Sequence, residues 1–263
     1  MHLIRMSGAA GLWLSLTAAP AVTQQRNDAC ADAVRLVTSG EATSEHEGWA
    51  LAQVAMCPDG PAAIVARWRA VGDRPEELAQ LRAWNYQIHD QRIADVAMEF
   101  AGDPSRPASL RLLALETLVA YFDPRATGLV DLNPSLGSQP PGADVPERVY
   151  VLSRRLATDP NPAIARAAKH EWQTLTDVRP SAVALPTGTL SLANMCGRKF
   201  RIANHSDIDL SVELVWATGR PSREHRIPAQ GMLDMTVAGN EIVRLLFGGR
   251  EIASAATGQV ACR

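Results

Sequence analysis

Lysine is almost missing from this chain of 263 residues: only Lys169 and Lys199 occur, so nearly all of its 26 basic residues are arginine. With 28 acidic residues the net charge is −2, which supplies no field to draw in nucleic acid or an anionic membrane. Several function classes lose their signatures as well. The chain has no GxSxG nucleophile elbow, no P-loop and no dinucleotide fingerprint, and no CxxC or Cys/His spacing of a zinc site. Aromatic residues make up 5% of the chain, and after the first residues no apolar run reaches the length a membrane span requires.

The remaining candidates for chemistry fail on spacing. His170 and Glu171 in "HEWQT" open like a zinc-protease helix, but Thr174 stands where the second histidine is needed. His46 lies between Glu45 and Glu47, and adjacent helical residues point to different faces. "LPTGT" at 185–189 resembles a sortase signal but lacks the intervening residue. Asn204-His205-Ser206 matches a glycosylation sequon and is expected to serve as a polar turn between strands. No carboxylate is expected to sit alone in an apolar setting that would raise its pKa for acid–base work. The expectation is therefore no catalytic, cofactor or metal residues and no cofactor.

What is present begins with "MHLIRMSGAAGLWLSLTAAPAVTQQ". His2 and Arg5 form a short positive region, an apolar run follows, and Ala19-Pro20-Ala21 supplies the small residues that signal peptidase requires. Residues 1–21 thus read as a signal peptide, with a retained anchor helix as the alternative. The mature chain is expected in the periplasm or secreted, without stable membrane insertion. Export changes the meaning of Cys30, Cys57, Cys196 and Cys262, since an even set in an oxidising compartment favours disulfides, with three possible connectivities. The cheapest grouping follows position: Cys30 with Cys57, and Cys196 with Cys262.

Residues 27–178 read as helix after helix. Asn27 or Asp28 offers a start and Gly40 a stop; Ser44 and Glu47 have capping-box spacing. If these two helices form an antiparallel hairpin, Cys30 and Cys57 lie at the same open end. Pro61 and Pro75 fit first-turn positions, and Trp68, Trp84 and Trp172 fall on apolar stripes, where core packing is the expectation. Two units share a pattern: "FAGDPSRPASLRLLALETL" and "LATDPNPAIARAAKHEWQTL" each end a helix at Asp-Pro and place a second proline four residues before an arginine. Pro107 with Arg111 thus corresponds to Pro162 with Arg166, and "CPDGPAAIVARW" is a weaker third copy.

This pattern resembles HEAT and HEAT-like repeats over roughly residues 44–176. The resemblance implies a right-handed stack of helical hairpins serving as a binding scaffold, against a plain orthogonal bundle. Stacking is also what wide apolar stripes demand physically. The Pro/Gly-rich segment 123–145 interrupts the pattern and reads as a loop, disordered or functional.

Residues 179–189 read as a linker, and beyond them the period becomes two. In "IDLSVELVW" the residues Ile208, Leu210, Val212, Leu214 and Trp216 share one face. "KFRIAN", "REHRI", "MLDMTV", "EIVRLLF", "REIASA" and "GQVAC" supply the other expected strands, with Gly248-Gly249 as a hairpin turn. Residues 190–263 are therefore expected to form a small β-sandwich with Cys196 at its start. With "CGRKFRIAN", "VELVW" and the closing "EIVRLLFGGREI", this stretch resembles the small immunoglobulin-like or fibronectin-like modules of exported bacterial proteins. A bridge between Cys196 and Cys262 would close a loop of ~65 residues and add about 4 kcal/mol by chain entropy.

The fold expected is an all-α helical-repeat domain followed by a small all-β sandwich. The function expected is exported, non-enzymatic binding or scaffolding, with a protein or an envelope component as partner and no nucleic acid. An exported hydrolase or lyase with a dispersed site is the first alternative, and an adhesion or inhibitory factor the second.

Overall fold

The computed structural model describes residues 19–41, 49–50, 53–85, 89–119, 121, 139–216 and 223–261. Its first half is helical and its last part is antiparallel sheet, as the two hydrophobic periods require. The helices are α1 (Ala19–Ser39), α2 (Gly60–Ala70), α3 (Pro75–Asn85), α4 (Gln91–Gly102), α5 (Ala108–Val119), α6 (Val145–Leu156) and α7 (Pro162–Val178). Residues 49–50 and 53–55 are also helical, whereas the expected capping box of Ser44 and Glu47, and His46 between them, lie outside the described residues.

Two of the helix starts follow their sequence signals closely. Asp90 caps α4 by accepting from the Arg92 N–H at 2.9 Å, and Asn161 caps α7 by accepting from the N–H groups of Ala163 and Ile164. The start of α1 departs from expectation, since the helix does not wait for Asn27 or Asp28 but begins at Ala19. Alanines at 19 and 21 favour helix, and Pro20 is tolerated in a first turn, where no i−4 acceptor is needed. Cleavage near Val22 would trim only that turn. At the other end, Gly40 adopts φ +71° and stops α1. A Cβ on Gly40 would come within 2.5 Å of the Arg67 guanidinium, so the same glycine lets that buried arginine pass beneath.

The helices stack in two layers. Consecutive pairs α2/α3, α4/α5 and α6/α7 pack together, α4 packs on both α2 and α6, and α5 packs on both α3 and α7. One layer is therefore α2–α4–α6 and the other α3–α5–α7, with α1 against α2. Trp68, Trp84, Phe100 and the leucines of α5 are buried between the layers. A polar chain crosses this core: Trp68 Nε1–H donates to Asn85 Oδ1, Asn85 Nδ2 donates to Thr117 Oγ1, and Thr117 returns its proton to the Leu113 carbonyl. Trp68, Asn85 and Thr117 thereby find partners, whereas Trp84 Nε1 has none, and the chain fixes the register of α2, α3 and α5.

The repeated Pro-to-Arg spacing has a structural counterpart. Arg111 on α5 donates to the Ala101 carbonyl at the end of α4 and to Asp159 at the α6–α7 turn, so it fastens one hairpin to the next. Arg166, at the matching position of α7, is exposed.

The C-terminal part contains β1 (Leu190–Cys196), β2 (Lys199–Asn204), β3 (Leu210–Trp216), β4 (Arg223–Ile227), β5 (Met232–Thr236), β6 (Ile242–Phe247) and β7 (Arg250–Ala256). They form two antiparallel sheets, ordered β1-β2-β5 and β4-β3-β6-β7. Phe200, Ile202, Leu210, Val212, Leu214, Val243 and Leu245 are fully buried, as their period-two pattern demands. Two strand expectations need correction. "LSLANMC" is a strand, so Cys196 ends β1 rather than opening the module, and "GQVAC" is not a strand among the described residues. Its backbone instead makes irregular bonds to the β1–β2 turn, between Gly197 N and Val260 O and between Gly258 N and Gly197 O.

The segment 179–189 joins the two parts as a packed connection. Pro180–Ala182 is a 3₁₀ turn, Val183 is buried, and Tyr150 donates its hydroxyl proton to the Ala184 carbonyl. Gly248, at φ +55° in the β6–β7 turn, presses on Pro180, where any Cβ would meet the carbonyl oxygen at 2.5 Å. Across the junction Gln173 of α7 makes two hydrogen bonds to the backbone of Asp209, and Arg226 reaches both Asp209 and Asp177.

Candidate functional site

The expected site residues were the cysteines. Cys30 and Cys57 are joined by a disulfide that ties α1 to the segment preceding α2. Cys196 is disulfide-bonded at the end of β1, and Cys262 lies outside the described residues. Asn204 is not positioned as a sugar acceptor, because its buried Nδ2 donates to the carbonyls of Ile208, Ile227 and Pro228. "LPTGT" forms the turn that enters β1, with Thr189 N bonded to Pro186 O. Among the described residues no three His, Cys, Asp or Glu side chains gather as metal ligands, and no helix is long and apolar enough to cross a membrane.

The unexpected residue is Glu171. On α7 the apolar stripe runs Ile164, Ala168, Trp172, Leu175, and Glu171 falls on it seven residues after Ile164. Its side chain is therefore carried between the layers, where only 2% of the residue remains exposed. Ser153 of α6 donates its hydroxyl proton to Glu171 Oε2 at 2.9 Å, and Oε1 has no hydrogen-bond partner. Burial pushes the carboxyl pKa well above its ordinary value, and the single bond from Ser153 opposes that only in part. Burial thus favours the neutral acid over the carboxylate. The expectation that no carboxylate occupies such a setting is overturned. The signal is legible in the sequence as a glutamate in register with an apolar stripe, a pattern independent of metal-ligand spacing.

Glu171 lines a cavity of about 370 Å³ between α5 and α7. Its walls are Leu112, Leu115, Val119 and Ala167, with Glu116 and His170 as the other polar members. Glu116 is partly exposed and pairs with Arg82 of α3 at 2.9 Å. The arrangement is a mostly apolar hollow of a size that can receive a small ligand. A broader hollow of about 940 Å³ beside Cys30 and Cys57 is lined by mostly exposed residues such as Asn27, Ala31 and Pro58, and it contains no buried ionisable group.

No family model and no curated protein matches this sequence. Among solved structures, Pseudomonas fluorescens alkylpurine DNA glycosylase AlkC bound to DNA containing an abasic site analog is similar over 82% of each chain, at 11% identity and a TM-score of 0.23. A likeness that loose carries no argument about fold or activity.

Proposed function

We propose that this chain is an exported, non-enzymatic binding protein whose α3–α5–α7 face holds the ligand at the Glu171 cavity. The observation that carries this reading is the mostly apolar cavity of about 370 Å³ between α5 and α7, with the buried Glu171 among its lining residues. HEAT-like stacking supports the reading, since the two-layer order of hairpins and the Arg111–Asp159 tie are what such a stack needs. A fibronectin-like sandwich is supported by β4 lying beside β3 rather than on the β1-β2-β5 sheet, unlike the ABED/CFG arrangement of immunoglobulin constant domains. The sandwich offers a second contact surface for a protein or envelope component. Export is supported by the N-terminal pattern and is compatible with the disulfides.

The test uses the full chain and three six-carbon probes of different charge: hexylamine, hexanol and hexanoate. Trp172, next in sequence to Glu171, is an intrinsic fluorescence reporter. At least one probe is expected to change that fluorescence saturably, and Ala167→Phe, which fills the cavity, is expected to abolish the change. No response to any probe would overturn the reading. The same buried acid favours a second reading, an exported hydrolase or lyase with Glu171 as proton donor. Turnover that vanishes in Glu171→Gln while binding persists would establish that alternative.

A further inference from the structure

We propose that the free edge of β5 is a self-association surface, on which a second copy of this chain lays its own β5 antiparallel and continues the sheet. The proposal is independent of the cavity at Glu171, so either can fail without the other.

An edge strand leaves half of its backbone groups unpaired, and folded chains blunt such edges with charges, bulges or cover. Three of the four sheet edges here are blunted. On β4 the exposed residues Arg223, Glu224 and Arg226 charge the edge. Met195 bulges from β1 between the partners of Phe200 and Lys199, and Ile252 bulges from β7 between the partners of Leu245 and Leu246. These two edges also pack on each other, and Gly197 bonds to Val260 and Gly258 beyond β7. Strand β5 has none of these devices. Its register with β2 is regular from Met232 to Thr236, and it holds no proline, lysine or arginine. Met232 at its start is 64% exposed, more than any other large apolar side chain among the described residues.

Two bonds at the ends of β5 fix which of its groups face outward. Asn204 N–H donates to the Gly231 carbonyl, and Val237 N–H donates to the Arg198 carbonyl. Gly231, Leu233, Met235 and Val237 therefore face β2. The N–H and C=O groups of Met232, Asp234 and Thr236 point to the open side.

This edge is complementary to itself. Two copies related by a two-fold axis through Asp234 pair Met232 of each with Thr236 of the other, and Asp234 with its counterpart. Each of these pairs exchanges two backbone hydrogen bonds, so every outward group of the strand is used. Between them Leu233 meets Met235 of the second copy on the inner face, where both side chains are half-buried in the single chain. Bare carboxylates at Asp234 would repel across the axis. Arg201 removes that charge, because its Nε and Nη2 donate to the two carboxylate oxygens at 2.7 and 2.8 Å. A charged strand from another protein finds no net charge here to recognise, whereas a second copy brings the matching pattern of its own. At ~17 Å for a strand of this length the contact is short, so the dimer is weak and concentration-dependent.

The experiment is sedimentation equilibrium of the full chain from about 10 µM to about 1 mM, with amide hydrogen exchange at both ends of that range. The mass is expected to rise towards a dimer. The N–H groups of Met232, Asp234 and Thr236 are expected to slow by about tenfold in step with it, while those of β4 stay unchanged. Met232→Lys places a charge on the exposed face without touching the β2 pairing and is expected to weaken the dimer by about tenfold or more. Glu224→Lys, the matched change on β4, is expected to leave it intact.

A chain that stays monomeric across the range would overturn the proposal, including the case in which β5 serves a strand of another protein. So would a dimer in which those three amides still exchange freely, or one in which Met232→Lys and Glu224→Lys act alike.

Discussion

Glu171 shows how one residue reports on both stability and recognition. Its folded-state pKa is raised, so the native chain keeps a proton that the unfolded chain has lost once pH exceeds about 4.3. Stability must then fall as pH rises between the unfolded and folded values, by at most about 1.4 kcal/mol per pH unit. Glu171→Gln does not titrate and escapes this loss. Thermal unfolding across acidic to neutral pH is expected to show the variant gaining on the wild type as pH rises; parallel curves would mean that Glu171 is ionised in the fold. Removing the hydroxyl in Ser153→Ala leaves both carboxyl oxygens without a protein partner and is expected to cost about 1–3 kcal/mol in chemical denaturation.

Among the elements, the two matching arginines offer a natural contrast. Arg111→Ala leaves Asp159 buried without its cation and the Ala101 carbonyl without a donor, at an expected cost of about 3–5 kcal/mol. Arg166→Ala, at the equivalent step of an exposed helix face, is expected to stay within about 0.5 kcal/mol. Denaturation midpoints of the two variants compare them directly. The hydrogen bond from Arg111 holds the Asp159 pKa below the usual range, so its stabilisation is present at neutral pH and is lost as pH falls through that depressed value. Arg111→Ala therefore also flattens the acid limb of the stability profile.

The helices were readable because proline and aspartate punctuate them and their stripes are wide: Pro61, Pro75 and Pro162 open helices where their sequence positions predict. Strand β1 was not, because only Leu190 in "LSLANMC" is fully buried and an edge strand of small and polar residues has little period to show. "GQVAC" misled in the opposite sense: its composition suits a strand, but its bonds to Gly197 follow a turn. The cavity was illegible because it depends on how α5 approaches α7, which no single helix encodes.

For the whole molecule, the junction makes a claim about cooperativity. Gln173, Arg226, Arg250 and Gly248 all engage the other part of the chain or the segment between. One apolar cluster also runs from α1 through both sheets. Helical and sheet signals are expected to be lost in a single transition, with circular dichroism in the far and near ultraviolet coinciding; two separated transitions would mean that the parts dock loosely. The Cys30–Cys57 bridge spans 27 residues of sequence. Replacing both cysteines with serine is expected to lower stability by about 3.5 kcal/mol on the chain-entropy estimate.

The contact of Gln173 with Asp209 has a consequence for growth of the chain. A stack of hairpins is an open-ended object, and its last helix ordinarily needs a polar terminus to stop further apposition. Here α7 packs against β3, and the 3₁₀ turn that follows it meets the β6–β7 turn, so the sandwich lies where a further hairpin would be added. Lengthening the array at this end would therefore require moving the sandwich, whereas duplication of a hairpin nearer the amino terminus would leave that closure untouched.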